Sequence, residues 1–166
     1  MKLIDPMIME YEHECGVTRK CLERVPFEHA DWTPHPKSFT MGALASHIAE
    51  SQMWVKPTCE MDEFEFDPAK FVPYKAASLN DLLKTFDENV KVAVATMKTV
   101  SDEAYLKNWR MTMPDGTVLF EMPRGGVLRT MILSHTVHHR AQLAVYLRLK
   151  DVPVPSIYGP SADEQG

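Results

Sequence analysis

The chain has 166 residues, 45% of them hydrophobic and 25% charged, with a net charge of −5. That length points to one domain, 1–166, large enough to bury about two-thirds of its unfolded surface without staples. The acidic balance speaks against nucleic acid or an anionic membrane as the main partner, because both need a basic footprint, and no apolar run approaches the ~18 residues of a membrane span. Cys15, Cys21 and Cys59 are odd in number and form no CxxC pair, which suits reduced thiols and a cytoplasmic setting. The opening Met1-Lys2-Leu3-Ile4-Asp5-Pro6 has no apolar segment of the export type.

Residues 6–24 read as a first helix, with Met7, Tyr11, Glu14 or Cys15, Thr18 and Leu22 along one side and Pro26 as its stop. Glu10 and His13 are three apart, the spacing of half a di-iron site. No second such pair follows, so they read as a solvated face. The stretch 26–39 is a loop, interrupted by Pro26, Pro34 and Pro36, anchored by Trp32 and Phe39, with His29 and His35 at the surface. Ser38 or Thr40 caps a second helix whose apolar content is Met41, Leu44, Ala45, Ile48 and Met53. His47 is its one histidine and shares a side with Ser51 and Trp54. Alone, such a residue is ordinarily a hydrogen-bonded member of the core.

Pro57 and the acidic segment 60–73 read as a long crossing, tacked down by Phe64, Phe66 and Phe71. Ser78 begins a third helix, in which Leu82, Phe86, Val90, Ala93, Met97 and Val100 keep helical spacing and carry no chemistry. Between Trp109 and Met122, the turn residues Pro114-Asp115-Gly116 predict a small hairpin or an ordered excursion. Gly125-Gly126 reads as a breaker, since nothing around it matches a phosphate loop. A fourth helix covers 127–149, and the prolines at 153 and 155 end regular structure. The tail 156–160 is open to packing or to mobility. The expectation is an all-α fold, a four-helix bundle with long connections and a hairpin-like excursion before the last helix.

The fourth helix concentrates the chemistry. Leu128, Met131, His135, His139, Gln142, Tyr146 and Leu149 recur three or four apart, the spacing of one face. Side chains four apart on a helix have Cβ atoms about 5–6 Å apart, which suits His135 and His139 to hold one small ion. Hydrogen bonds to neighbours would satisfy the same two rings without any metal. His138, three after His135, has chelating spacing too, but the buried face favours His139. Adding His47 gives three neutral nitrogen donors from two helices, and three protein ligands with an open position is the pattern of a catalytic site. Imidazole ligands accept Zn, Ni, Fe, Co or Mn.

Leu44-x-x-His47, then His135-Thr136-Val137-His138-His139-Arg140-Ala141-Gln142-Leu143, then Tyr146-Leu147-Arg148 and a proline-rich exit, resemble the DinB-like family of small metal-binding bundles. Trp32-Thr33-Pro34-His35-Pro36 and the run from Phe120 to Arg124 are also similar to its members. The family signature often reads HRGQ; here Ala141 stands in place of its glycine. The resemblance implies a DinB-like four-helix bundle, a homodimer, and a divalent-metal site with His47, His135 and His139 as ligands. Zn or Ni comes first among the metals, then Fe, Co or Mn.

For function the resemblance implies two classes. In the first, a metalloenzyme activates a small thiol such as bacillithiol, mycothiol or glutathione and transfers it to an electrophile, or activates water for hydrolysis. The substrate pocket would lie beside Trp54, Gln142 and Tyr146. In the second, the protein sequesters or senses a metal or ligand without turnover. No general acid or base stands out from the residues. Gln142 and Tyr146 suit substrate positioning, support of a ligand, or plain core packing.

Overall fold

A computed structural model describes residues 1–165. Helix α1 spans Asp5–Leu22, begun by Pro6 in its first turn with Asp5 at the positive end of the helix dipole. It buries Met7, Ile8, Tyr11, Cys15 and Leu22 on one face. The hydroxyl of Thr40 accepts from the Ala43 amide at 3.2 Å and caps α2, Met41–Ser51. This helix continues through a 3₁₀ turn, Gln52–Trp54, into α3, Val55–Glu60. Pro57 therefore lies inside helical structure and does not end it. It occupies the first turn of α3, where a missing N–H costs no bond.

Ser78 caps α4, Leu79–Met97, and Ser101 caps the short α5, Asp102–Leu106. After α6, Arg124–Val127, the chain takes a π-helical stretch, Leu128–Ser134, and enters α7, His135–Leu149. Both α1 and α2 pack on α4 and on α7. The four long helices thus enclose a core that includes Leu44, Ile48, Phe86, Leu133, Leu143 and Leu147. That arrangement sets α2 beside α7, the two helices that carry the histidines.

The fold is mostly helical but not all-α. Strand β1, Glu63–Glu65, pairs in parallel with β2, Asn108–Thr112, which pairs antiparallel with β3, Val118–Pro123. Gly116 takes φ +82° in the β2–β3 turn, a conformation open to glycine at little cost. The hairpin was legible from its turn residues. A three-residue strand whose partner lies more than forty positions away leaves no periodic trace.

Gly125-Gly126 forms part of α6 instead of breaking the chain. A Cβ on Gly125 would fall 2.4 Å from Cζ of Tyr105, so the residue is selected by close approach of that ring. The fourth helix also departs from one uniform rod, because its π-helical stretch carries no Pro or Gly to announce it. The tail is packed down: the Tyr158 hydroxyl donates to Glu14 Oε2 at 2.9 Å and accepts from Arg140 Nη2 at 2.6 Å. Among the described residues, no helix is long and apolar enough to cross a membrane.

Candidate metal centre

His47 comes from α2, and His135 and His139 from the first two turns of α7. The structure brings the three together, each offering a ring nitrogen within 4.8 Å of the others. Nε2 of His47 lies 2.8 Å from Nε2 of His135, and the His139 ring centroid is 4.8 Å and 4.4 Å from those of His47 and His135.

A buried polar chain sets this register. Tyr11 of α1 donates to Gln52 Oε1 at 2.8 Å, and Gln52 Nε2 donates to Thr136 Oγ1 at 3.0 Å and to the Ile48 carbonyl at 3.0 Å. The Thr136 hydroxyl in turn donates to the Ile132 carbonyl at 2.8 Å. Three helices are thereby fixed next to His135, and sliding α7 along α2 would strand buried donors at about 1–3 kcal/mol each. The Phe39 ring stacks on His47 with centroids 5.6 Å apart and meets His139 edge-on at 6.2 Å.

Gln142 Oε1 stands 2.7 Å from Nδ1 of His139. An amide oxygen only accepts, so Nδ1 carries the proton and Nε2 keeps its lone pair. At 2.8 Å the facing Nε2 atoms of His47 and His135 need either the proton of one neutral ring or a cation between them, because two imidazole lone pairs would repel. Burial, first of all causes, holds the three rings below the ordinary histidine range. His135 is lowered to about 4 by burial and then by its neighbours His139, His47 and His138. His47 is lowered by burial and by His139. His139 is lowered by burial and by His138, against the raising contact of Gln142. Three neutral imidazoles with converging nitrogens are the donor set a divalent transition ion takes.

The other histidines stay outside. His138 is exposed and approaches only the His139 ring, at 4.9 Å between centroids. Glu10 and His13 lie on the exposed side of α1, where Glu10 pairs with Arg129 at 3.0 Å. His35 is exposed and His29 partly so.

The expected single pocket is divided. Trp54 lines a cavity of about 140 Å³ onto which His47 and His135 face. Gln142 and Tyr146 line a different one, of about 360 Å³, with Phe39 and His139. Tyr146 is drawn into packing, its hydroxyl donating to the Phe39 carbonyl at 3.3 Å and its ring edge-on to Trp32 at 5.6 Å. A third recess, of about 570 Å³, reaches His47 past Glu50 and Tyr74.

Residues of the hairpin are the ones sequence reasoning missed. Trp109 and Met111 are two apart on β2 and so share a face, and Phe120 stands opposite Met111. All three line the cavity of Trp54. The alternation was there to be read, but nothing local said that this face covers the histidines. Glu14 was also missed as a partner of Arg140, which it meets at 2.6 Å with both side chains buried.

Comparison with known proteins agrees with this architecture. The chain is 26% identical over 161 residues to the uncharacterized protein YrdA of Bacillus subtilis, covering 97% of this chain and 91% of that one. A DinB-like protein from Bacillus cereus has the same fold, with TM-score 0.72 at 22% identity over 93% of this chain and 97% of that one. YfiT of Bacillus subtilis, described as a probable metal-dependent hydrolase with an unusual four-helix bundle topology, superposes with TM-score 0.66. It is 17% identical over 89% of this chain and 87% of that one. A model of the DinB family matches residues 5–165, and the chain belongs to that family.

Proposed function

We infer that the protein is a metal-dependent enzyme in which His47, His135 and His139 would hold a divalent transition ion, and in which a small external thiol loses its proton and displaces the leaving group of an electrophile to form a C–S bond. The observation that carries this is three neutral imidazoles converging beside a cavity that contains no other ionisable group. When bound with an open position, such an ion lowers the pKa of a coordinated thiol or water, so that the nucleophile forms at neutral pH.

The chain's own residues favour a thiol. In the 140 Å³ cavity the only hydroxyls are those of Ser51 and Thr58. Ser51 donates to the His47 carbonyl at 2.6 Å and Thr58 to the Trp54 carbonyl at 2.7 Å, and a neutral alcohol is no general base for water. A thiol, with an ordinary pKa of about 8.5, needs far less help than water at about 15.7. The thiol must come from outside. Burial pushes Cys15 and Cys59 up to about 12 and Cys21 up to about 11, and none of them lines that cavity.

Hydrolysis is the second reading. It is favoured by Glu50, which lines the recess that also reaches His47 and whose Oε1 accepts from the Tyr74 amide at 2.8 Å, leaving its other oxygen to serve as a base, and by the fold shared with YfiT.

The test loads metal-free protein with Zn or Ni and follows glutathione or bacillithiol with 1-chloro-2,4-dinitrobenzene as electrophile. Thiol consumption by the loaded form alone supports transfer. Thiol-independent cleavage of a small ester by the loaded form supports hydrolysis instead. A bound ion with neither activity would leave sequestration, and no bound ion after reconstitution would overturn both enzyme readings.

A further inference from the structure

The cavity beside His47 and His135 has a chemistry that the metal alone does not explain. Its volume is about 140 Å³, close to the roughly 150 Å³ at which an apolar protein cavity accepts benzene. Its walls are Trp54, Trp109, Phe120, Met111 and Met131, completed by Val127 and Ile132. Trp109, Val127 and Ile132 are buried, whereas Met131 is 44% exposed and stands where the cavity meets solvent.

Apart from the two histidine rings and the Trp54 indole N–H, the polar side-chain groups of these walls already donate within the protein. Ser51 and Thr58 donate to helix carbonyls, and the Trp109 indole N–H donates to the Pro57 carbonyl at 3.2 Å. Among the described residues no Asp, Glu, Lys or Arg lines it. A phosphate or sugar entering here would lose its hydration and find no charged partner and too few hydrogen-bonding groups to replace it. The two indoles are held in place by other rings, Trp54 from outside the cavity and Trp109 within its wall. Trp54 sits edge-on to Phe64, with centroids 5.1 Å apart, and Trp109 lies 5.7 Å from Phe120. Fixed aromatic faces with two flexible thioethers favour a flat π-ring over an alkyl group of equal size.

The geometry points to this cavity as the binding site for one uncharged aromatic ring of the substrate, with the reacting group of that substrate directed to His47 and His135. The orientation of the reacting group rests on the metal-dependent reading above; the affinity for a ring does not. The substrate class is therefore a neutral benzenoid electrophile rather than a charged metabolite. The hairpin, an ornament to the bundle in sequence, becomes the wall that confers the preference.

The experiment titrates metal-free and metal-loaded protein with toluene, benzoate and methylcyclohexane, reading tryptophan emission and calorimetric stoichiometry. One toluene per chain is expected in both forms, with a shift in emission. Benzoate should not bind the metal-free form, whose cavity offers its carboxylate no cation, and methylcyclohexane should bind about 2- to 10-fold more weakly than toluene. Met131→Trp, a change at an exposed position that fills the opening, should remove toluene binding and leave metal stoichiometry unchanged. Should that variant misfold, Phe120→Lys tests the same wall from the hairpin. Benzoate binding to the metal-free form as well as toluene, equal affinity for methylcyclohexane, or toluene binding that survives both substitutions would each overturn the proposal. Toluene binding with no metal uptake would sink the metal reading while upholding the ring site, and metal uptake without toluene binding would do the reverse.

Discussion

Gln142 Oε1 lies 2.7 Å from Nδ1 of His139, one turn further along α7. The contact makes a helix neighbour responsible for the tautomer of a candidate ligand. Partners of this kind, when removed, typically cost 10–100-fold in metal affinity. Gln142→Leu is expected to weaken Zn binding by about that factor, while Gln142→Glu, which still accepts from Nδ1, retains it. Competition with a chromogenic chelator measures both. Equal affinity in the wild type and the Leu variant would deny Gln142 this role.

Acid should destabilise the metal-free protein by way of the same cluster. His135 is lowered to about 4 in the fold and titrates near 6.5 in the unfolded chain. Between those values the unfolded state binds a proton that the native state refuses, so stability present above pH 6.5 is lost as pH falls towards 4. His47 and His139 are shifted in the same direction. Because these rings are only half buried, the His135 share is on the order of 1–2 kcal/mol after allowance for solvent screening. Urea denaturation of the metal-free form at pH 7.5 and pH 5 should show the drop, and His135→Asn should flatten it.

The bundle and the histidine triad were legible because both follow from helical spacing. Leu82, Phe86 and Met97 repeat on α4, and His135 and His139 repeat on α7, each within one element. What escaped the sequence depends on pairings between distant segments. The parallel ladder from Glu63 to Arg110, the closeness of Tyr105 to Gly125 and the contact of Glu14 with Arg140 have no local signature. Tyr146 had the right spacing for the pocket face, yet its hydroxyl bonded the Phe39 carbonyl and its ring met Trp32, which joined it to the packing behind His139.

Native cysteines should resist alkylation. With Cys15 and Cys59 pushed up to about 12 and Cys21 up to about 11, almost no thiolate exists at pH 8. Iodoacetamide at that pH is expected to leave the folded protein unmodified and to label all three thiols in urea. Rapid labelling of a native cysteine, read by intact mass, would reopen the possibility of an internal nucleophile.

Arg140 supports the same helix from its other side. Its guanidinium is buried and reaches Glu14 Oε2 at 2.6 Å, the Glu14 carbonyl at 3.2 Å and Tyr158 at 2.6 Å. Removing one member of a buried pair leaves an uncompensated charge and costs about 3–5 kcal/mol. Arg140→Met is expected in that range by urea denaturation. Tyr158→Phe should lose about 1–3 kcal/mol, because its hydroxyl serves both charged groups. Replacing Glu14 and Arg140 together by Leu and Met should restore much of the loss, since two desolvated charges vanish with the bond between them. A double variant no more stable than Arg140→Met would argue against the pair as the cause.

The two adjacent histidines give the sharpest test of the site. Successive residues on a helix diverge by about 100°, so His138 and His139 cannot face the same way. His139 converges with His47 and His135, whereas His138 is exposed and meets only the edge of the His139 ring, 4.9 Å away. With two of three donors left, His139→Ala should lose its ion, and its cavity with Gln142 should open to water. His138→Ala should keep full metal stoichiometry. Its absence removes a neighbour that lowers both His135 and His139, so it should bind Zn no more weakly than the wild type at pH 7. Elemental analysis of both variants after dialysis against the metal decides the matter. Metal lost from the His138 variant and kept by the His139 variant would mean that α7 presents a different face to α2, and the proposed centre would fall with it.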